Sequence, residues 1–453
     1  MTQVFVLNSA YGLMTAAAAI DAAMVPPAAG GRILLTVNAA TTPETVADLD
    51  ASPHLRSLLS RFDHVESLGA LVSPTLPVRW EPDVDELAVL ERLLRRAWRI
   101  DDGAVELFLQ SPQVAPALTV LRLFPTAPAT IIGDGLMTYA PLRRRLPHTL
   151  TVRVTAVVYA DVVPQVTPLL LAGSARSTPL PPATFRAVVD EVAAHTADAD
   201  LDVLATSAMP TVLILGQYLA ALGLVSAAEE EAMQRQMVDE ALRFSPERVV
   251  FKPHPSAPPA IAAAVAERAG ELGVACEVYT GAVPAEIVAA RMHVTGVVAG
   301  FSTALPTLRA LYGTPIAAVG TDVLLRRLDP FENSNRIPVT IVDALARAES
   351  PYAAPARLQH LVDAVGFAMQ PHVAAHLRPR AEALLNELNA DERDRYFAPE
   401  RLRSLRLPGA PPPGILDRIF AASGATGRLE QTRLTLRGAH RRAGRAWKAV
   451  RGT

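Results

Sequence analysis

One cysteine, Cys276, stands in 453 residues. It excludes an internal disulfide and any CxxC metal motif, and it fits a reducing compartment. Long apolar runs are equally scarce. No window of about 18 residues, the length needed to span a bilayer, is free of charges and prolines. The Ala-rich stretch 15–24 is broken by Asp21 and stopped by Pro26-Pro27. Met1-Thr2-Gln3-Val4 carries neither a basic leader nor an apolar core before a cleavage site, so no signal peptide is expected. Nothing resembles a nucleic-acid-binding module. The expectation is a cytoplasmic chain, soluble or peripheral to the membrane. Aromatics are few at 5%, but 50% hydrophobic against 19% charged residues is globular composition with enough apolar mass for a sizeable core.

Charge is unevenly spread, with a positive excess concentrated in the tail. Net charge is −2, yet residues 401–453 hold twelve Lys/Arg against Asp417 and Glu430. The stretch 429–450, with Arg433, Arg437, Arg441, Arg442, Arg445, Trp447 and Lys448, reads as a basic helix suited to an anionic membrane surface, an anionic polymer or plain solvation.

What is present is alternation. Strands are expected at 4–7, 31–37, 65–71, 105–109, 129–132 and within 152–159, with helices at 13–24, 84–98 and 112–121 between them. After a Pro-rich, then polar connection, strands recur at 211–215, 249–251, 274–279 and 293–298. Helices intervene at 227–244, 259–272 and from Pro284, and another starts near Ala304; two more follow at 354–368 and 373–388. Such alternation means βαβ units and mostly parallel sheets, an α/β fold. The length fits two domains plus a tail, at 1–205, 206–395 and 396–453.

Open α/β sheets bind ligands at strand carboxyl ends, and three short motifs fall there. Gly133-Asp134-Gly135 ends one strand; it reads either as a working carboxylate or as a turn. Lys252-Pro253-His254-Pro255 ends another. Its prolines hold a cation and an imidazole in an extended loop that suits an anion, or His254 merely precedes the next helix. Phe301-Ser302-Thr303 starts a helix, where free N–H groups and hydroxyls make an anion site or a simple cap. Ser9 is expected to cap the first helix or to bind an acceptor. Asp-x-Asp pairs at 48/50, 83/85 and 198/200 match a metal–diphosphate spacing, but they fall at helix starts and linkers where Asp is expected anyway.

Taken together and in this order, the three motifs resemble the bacterial sialyltransferases and polysialyltransferases, in particular the actinobacterial alpha-2,8-polysialyltransferase-like family, over residues 3–345. That resemblance implies a GT-B architecture, two Rossmann-like domains facing across a cleft. It also implies a CMP-sialic acid donor, or a related nonulosonic acid, and a glycan or glycolipid acceptor. Asp134 would be the general base, and His254 would hydrogen-bond or protonate the departing phosphate. Ser302 and Thr303 would grip that phosphate beside Lys252, Glu286 would hold the ribose, and Gly216 and Gln217 would border the nucleotide. Where the family carries two acids before the glycine, the first is Gly133 here, so either Asp134 serves as base or the site is degenerate.

The chemistry is coherent by itself. A nucleoside monophosphate leaving group can be neutralised by an imidazole, hydroxyls and helix-end N–H groups without a metal ion. A carboxylate opposite allows displacement with inversion. The alternatives are a CDP-glycerol-type polyol-phosphate transferase of teichoic acid synthesis, and a non-catalytic nucleotide- or glycan-binding protein.

Overall fold

The computed structural model describes residues 1–39, 48–100, 103–254 and 256–412. The chain forms two compact units, Met1–Phe397 and Ala398–Thr453. In the second, the described residues form the helix Pro399–Leu405, closed by Arg406 in the left-handed region. The basic helix expected at 429–450 lies outside the described residues, as does Pro255.

The first unit contains two parallel sheets. Strands β1 (Thr2–Leu7), β2 (Arg32–Thr36), β3 (His64–Ser67), β4 (Val105–Gln110), β5 (Ala129–Ile132), β6 (Val154–Ala160) and β7 (Arg176–Leu180) make one, in the order β3-β2-β1-β4-β5-β6-β7. Strands β8 (Thr211–Leu215), β9 (Arg248–Lys252), β10 (Ala275–Val278), β11 (Gly296–Ala299) and β12 (Ile316–Ala318) make the other, in the order β10-β9-β8-β11-β12. Every pairing is parallel. Two Rossmann-like sheets in one chain are the expected GT-B architecture. Each reverses its strand order once, between β1 and β4 and between β8 and β11, and a crevice opens at such a switch point.

Burial explains the strand sequences. β1, β5 and β8 are covered on both faces and buried throughout, which is why they read as continuous apolar runs. Phe5 stacks on Phe108 with centroids 4.3 Å apart, tying β1 to β4.

Several expectations shift. The strand expected at 65–71 stops at Ser67, whose hydroxyl accepts from Ala70 N–H and turns the chain into the helix Leu68–Val72. The strand expected at 293–298 begins at Gly296, because His293 is the left-handed cap of the helix Ala285–Met292. The supposed connection also holds structure: β7 and the helices Pro182–His195 and Ala199–Ala205. β7 is an edge strand with exposed Arg176, Ser177 and Pro179, so it lacks an apolar signature. The Asp-x-Asp residues have local partners. Asp198 caps a helix and accepts from Tyr279, Asp83 belongs to a capping box with Glu86, and Asp50 accepts from Thr36. No helix among the described residues is long and apolar enough to cross a membrane.

Candidate functional site

β5 is a four-residue buried strand, and Gly133 and Asp134 follow it directly. A Cβ on Gly133 would come within 2.6 Å of Tyr159 Cβ and 2.8 Å of Thr138 Oγ1. Position 133 therefore has no room for an acidic side chain, and the carboxylate at this strand end is Asp134. Asp134 starts the short 3-10 turn Gly135–Tyr139, and its N–H donates to Thr138 Oγ1 at 2.8 Å. Ser9 Oγ donates to Asp134 Oδ1 at 3.1 Å, and Gln110 Nε2 donates to Ser9 Oγ at 2.6 Å. Burial pushes the Asp134 carboxyl above the ordinary aspartate range, and hydrogen bonds from Ser9 and then Gln110 oppose that rise. Ser9 also caps its helix through Gly12 N–H at 3.0 Å, so its two expected roles coexist. Tyr11, in the first turn, hydrogen-bonds Thr307 across the two sheets at 3.4 Å, and burial raises its phenol.

Gly135 sits at φ +50°, and a Cβ there would overlap Thr303 Cγ2. The backbone next to Asp134 thus abuts the residue before the helix Ala304–Tyr312. Ser302 Oγ accepts from Ala304 N–H at 3.2 Å, so it caps that helix start. The Asp134 and Ser302-Thr303 motifs are brought together.

The other predicted residues follow β8 and β9 or open the helix Ala285–Met292, and of these Gln217 reaches the loop that leads to Ser302. Gly216 lies against Phe251 and Pro253; a Cβ there would meet the Phe251 ring at 2.8 Å. Gln217 Oε1 accepts from Phe301 N–H at 2.7 Å, linking the loop after β8 to the loop after β11. Glu230 pins the former loop by accepting from Leu219 and Ala220 N–H at 2.6 and 2.9 Å.

Lys252 Nζ donates to Gly281 O at 2.6 Å and lies 5.0 Å from the Tyr279 ring centroid. Burial pushes its ammonium down to about 8, with Asp198 and Glu286 opposing. Glu286 is buried in the first turn of its helix, which raises its carboxyl, and Lys252 pulls the other way. Pro284 occupies the position before that helix rather than its first residue. His254 is exposed, and its Nδ1 accepts from Ser256 N–H at 3.1 Å. That bond leaves the neutral ring with its proton on Nε2. Partial desolvation keeps the imidazolium below the ordinary histidine range, against the pull of Glu230.

Asp134 also lines a cavity of about 520 Å³ with Arg122, Arg143, Arg144, Arg145 and Ser334. Arg143 donates to Ser334 Oγ at 2.6 Å, and Arg145 donates to His372 O at 3.1 Å. The polar loop 329–336 contributes Ser334 here. Sequence reading missed Gln110, Tyr11 and the 143–145 arginines. Only Gln110 carried a signal, as a polar residue closing an apolar strand.

No curated protein is similar to the chain in sequence. Among solved structures, the UDP-GlcNAc 2-epimerase of Neisseria meningitidis bound to UDP-GlcNAc is 9% identical, with 85% of this chain and 99% of that one covered and a TM-score of 0.43. The sialyltransferase of Photobacterium damselae, residues 113–497 corresponding to its GT-B domain, is 12% identical, with 76% and 96% covered and a TM-score of 0.37. The family model described as alpha-2,8-polysialyltransferase matches residues 3–321, from β1 to the residue after β12 and its loop, and so takes in all three motifs. The chain belongs to the alpha-2,8-polysialyltransferase family, and is a glycosyltransferase.

Proposed function

We propose that the protein transfers sialic acid, or a related nonulosonic acid, from a CMP-activated donor to a surface-glycan acceptor, with inversion and without a metal ion. The observation that carries this reading is the abutment of Gly135 on Thr303, which sets the backbone next to Asp134 against the start of a helix. In this reading the donor phosphate lies at that helix start, where Ser302, Thr303 and backbone N–H groups hold it. The acceptor enters through the arginine-lined cavity. Its hydroxyl passes a proton to Asp134 as its oxygen bonds the anomeric carbon, and the opposite carbon–oxygen bond breaks with its electron pair going to CMP. The Nε2–H of His254 donates to the departing phosphate, and Lys252 supplies the nearby positive charge. Glu286 holds the ribose, and Gly216 and Gln217 border the nucleotide. The basic segment beyond residue 412 serves as contact with an anionic surface at the inner face of the membrane.

The test is isothermal titration of the full chain with CMP, CDP and UDP in EDTA. Selective CMP binding that Ser302→Ala/Thr303→Ala removes is the expected result. Preference for CDP would overturn the reading in favour of polyol-phosphate transfer, and binding that requires a divalent ion would overturn its metal independence.

A further inference from the structure

The carboxyl ends of β1 and β4 flank the switch point of the larger sheet, and one glutamine bridges them. Gln110 Oε1 accepts from Asn8 N–H at 2.9 Å, which fixes the orientation of the amide. Its Nε2 must then face Ser9, and it donates there at 2.6 Å. Ser9 Oγ already accepts a second hydrogen bond, from Gly12 N–H at 3.0 Å. With both acceptor positions of the hydroxyl taken, its single proton has one place left, and Asp134 Oδ1 is 3.1 Å away. Gly12 belongs to the same unit, because a Cβ there would overlap the Gln110 amide.

We infer that Asn8, Ser9, Gly12 and Gln110 form a one-way hydrogen-bond relay in which Ser9 and Gln110 are positioning residues for the Asp134 carboxylate. The relay runs from a backbone N–H outward, so Ser9 always donates to Asp134 and never accepts from it. It has two effects. One carboxylate oxygen is committed to Ser9, which sets the plane of the group and leaves its other lone pairs for an incoming hydroxyl. The donated bond also favours the ionised form against burial. The charged and titratable groups facing Asp134 from neighbouring elements are Tyr11 on the first helix and, around the cavity, Glu81, Arg122 and Arg143–Arg145. None of these donates the bond that Ser9 does.

The inference rests on the proposed role of Asp134 for its catalytic meaning, but not for its measurement. The carboxyl of Asp134 is titrated directly by 13C NMR in full-length protein labelled at aspartate, with the signal assigned by its loss in Asp134→Asn. Two variants test the relay. Ser9→Ala removes the donor without adding charge, and Gln110→Glu keeps shape and the acceptor for Asn8 N–H but replaces the Gln110 donor with a carboxylate that draws the Ser9 proton away and repels the Asp134 charge. Each is expected to raise the Asp134 titration by about one to two pH units, and to move the acid limb of kcat/KM upward with it. Ser9→Ala also removes a helix cap, so thermal unfolding is followed in parallel; Gln110→Glu leaves that cap in place. If either variant titrates as the wild type does, whatever its melting temperature, the relay is wrong. If the titrations shift but the wild type transfers no nonulosonic acid, the relay stands and the proposed reaction falls.

Discussion

Each sheet carries one glutamine across its switch point, and the two are put to different use. Gln110 closes β4 and reaches back to Asn8 after β1; Gln217 follows β8 and reaches across to Phe301 after β11. Both accept a backbone N–H through Oε1, and both press on a glycine, Gly12 or Gly300, where a Cβ would overlap the amide. In the larger sheet the donor end of the amide continues through Ser9 to a carboxylate. In the smaller sheet the amide braces the loop that leads to Ser302 and Thr303. The buried charges differ in the same sense. Asp134 meets side-chain donors that oppose its burial, whereas Lys252, held by one carbonyl and a ring face with Asp198 and Glu286 pulling against its burial, is pushed down to about 8. Burial is opposed by hydrogen-bond donors in one half and by the charges of neighbouring acids in the other.

Three measurements press on that contrast. The largest effect is expected from Asp134→Asn, which should lower transfer by roughly 10³-fold while CMP affinity by calorimetry stays within about tenfold. Full activity in this variant would remove the carboxylate from the chemistry altogether. Next, Gln217→Leu orphans the Phe301 N–H and should raise the donor KM by about tenfold. Its acid limb should stay where the wild type has it, unlike that of Gln110→Glu. A shifted limb would mean that the two glutamines are not specialised. The smallest effect concerns Lys252. A bound phosphate favours the ammonium, so its titration rises from about 8 on binding. CMP binding at pH 8.5 should therefore draw a proton from solution, read as a dependence of the binding enthalpy on the buffer's ionisation enthalpy. Lys252→Met should abolish that dependence, and below pH 7 the wild type should show no uptake at this residue.

The parts of the fold that could be read from sequence were those that burial writes plainly. β5, β8 and β9 are β-branched runs ended by Gly or Pro, and all three lead into candidate site residues. β7 could not be found in that way, since an exposed edge strand containing Pro179 has neither apolar alternation nor a full set of N–H donors. Residues near Asp134, His254 and Ser302 were marked by local chemistry, namely glycine beside an acid, an imidazole between prolines and paired hydroxyls. Gln110 was marked only as a polar residue closing an apolar strand, which does not say what it does. Its meaning comes from Asn8, Ser9 and Gly12, about a hundred positions away, and only the parallel pairing of β1 with β4 brings them together. Gly133 is the reverse case. It reads as a lost acid in sequence, but it is the residue that the packing of Tyr159 and Thr138 permits.

The placement of β1 inside its sheet, beside β4, has a consequence for biosynthesis. Ser9 leaves the ribosome well before its carboxylate partner, which lies 125 positions later. Long-range parallel pairing closes late because the intervening loop must be ordered first. A nascent chain that has released only β1 to β4 therefore holds Gln110 and Ser9 with nothing to act upon, and any product cut short before β5 lacks Asp134. Completion of the larger sheet, rather than translation of any one motif, is the moment at which this half of the site comes into being.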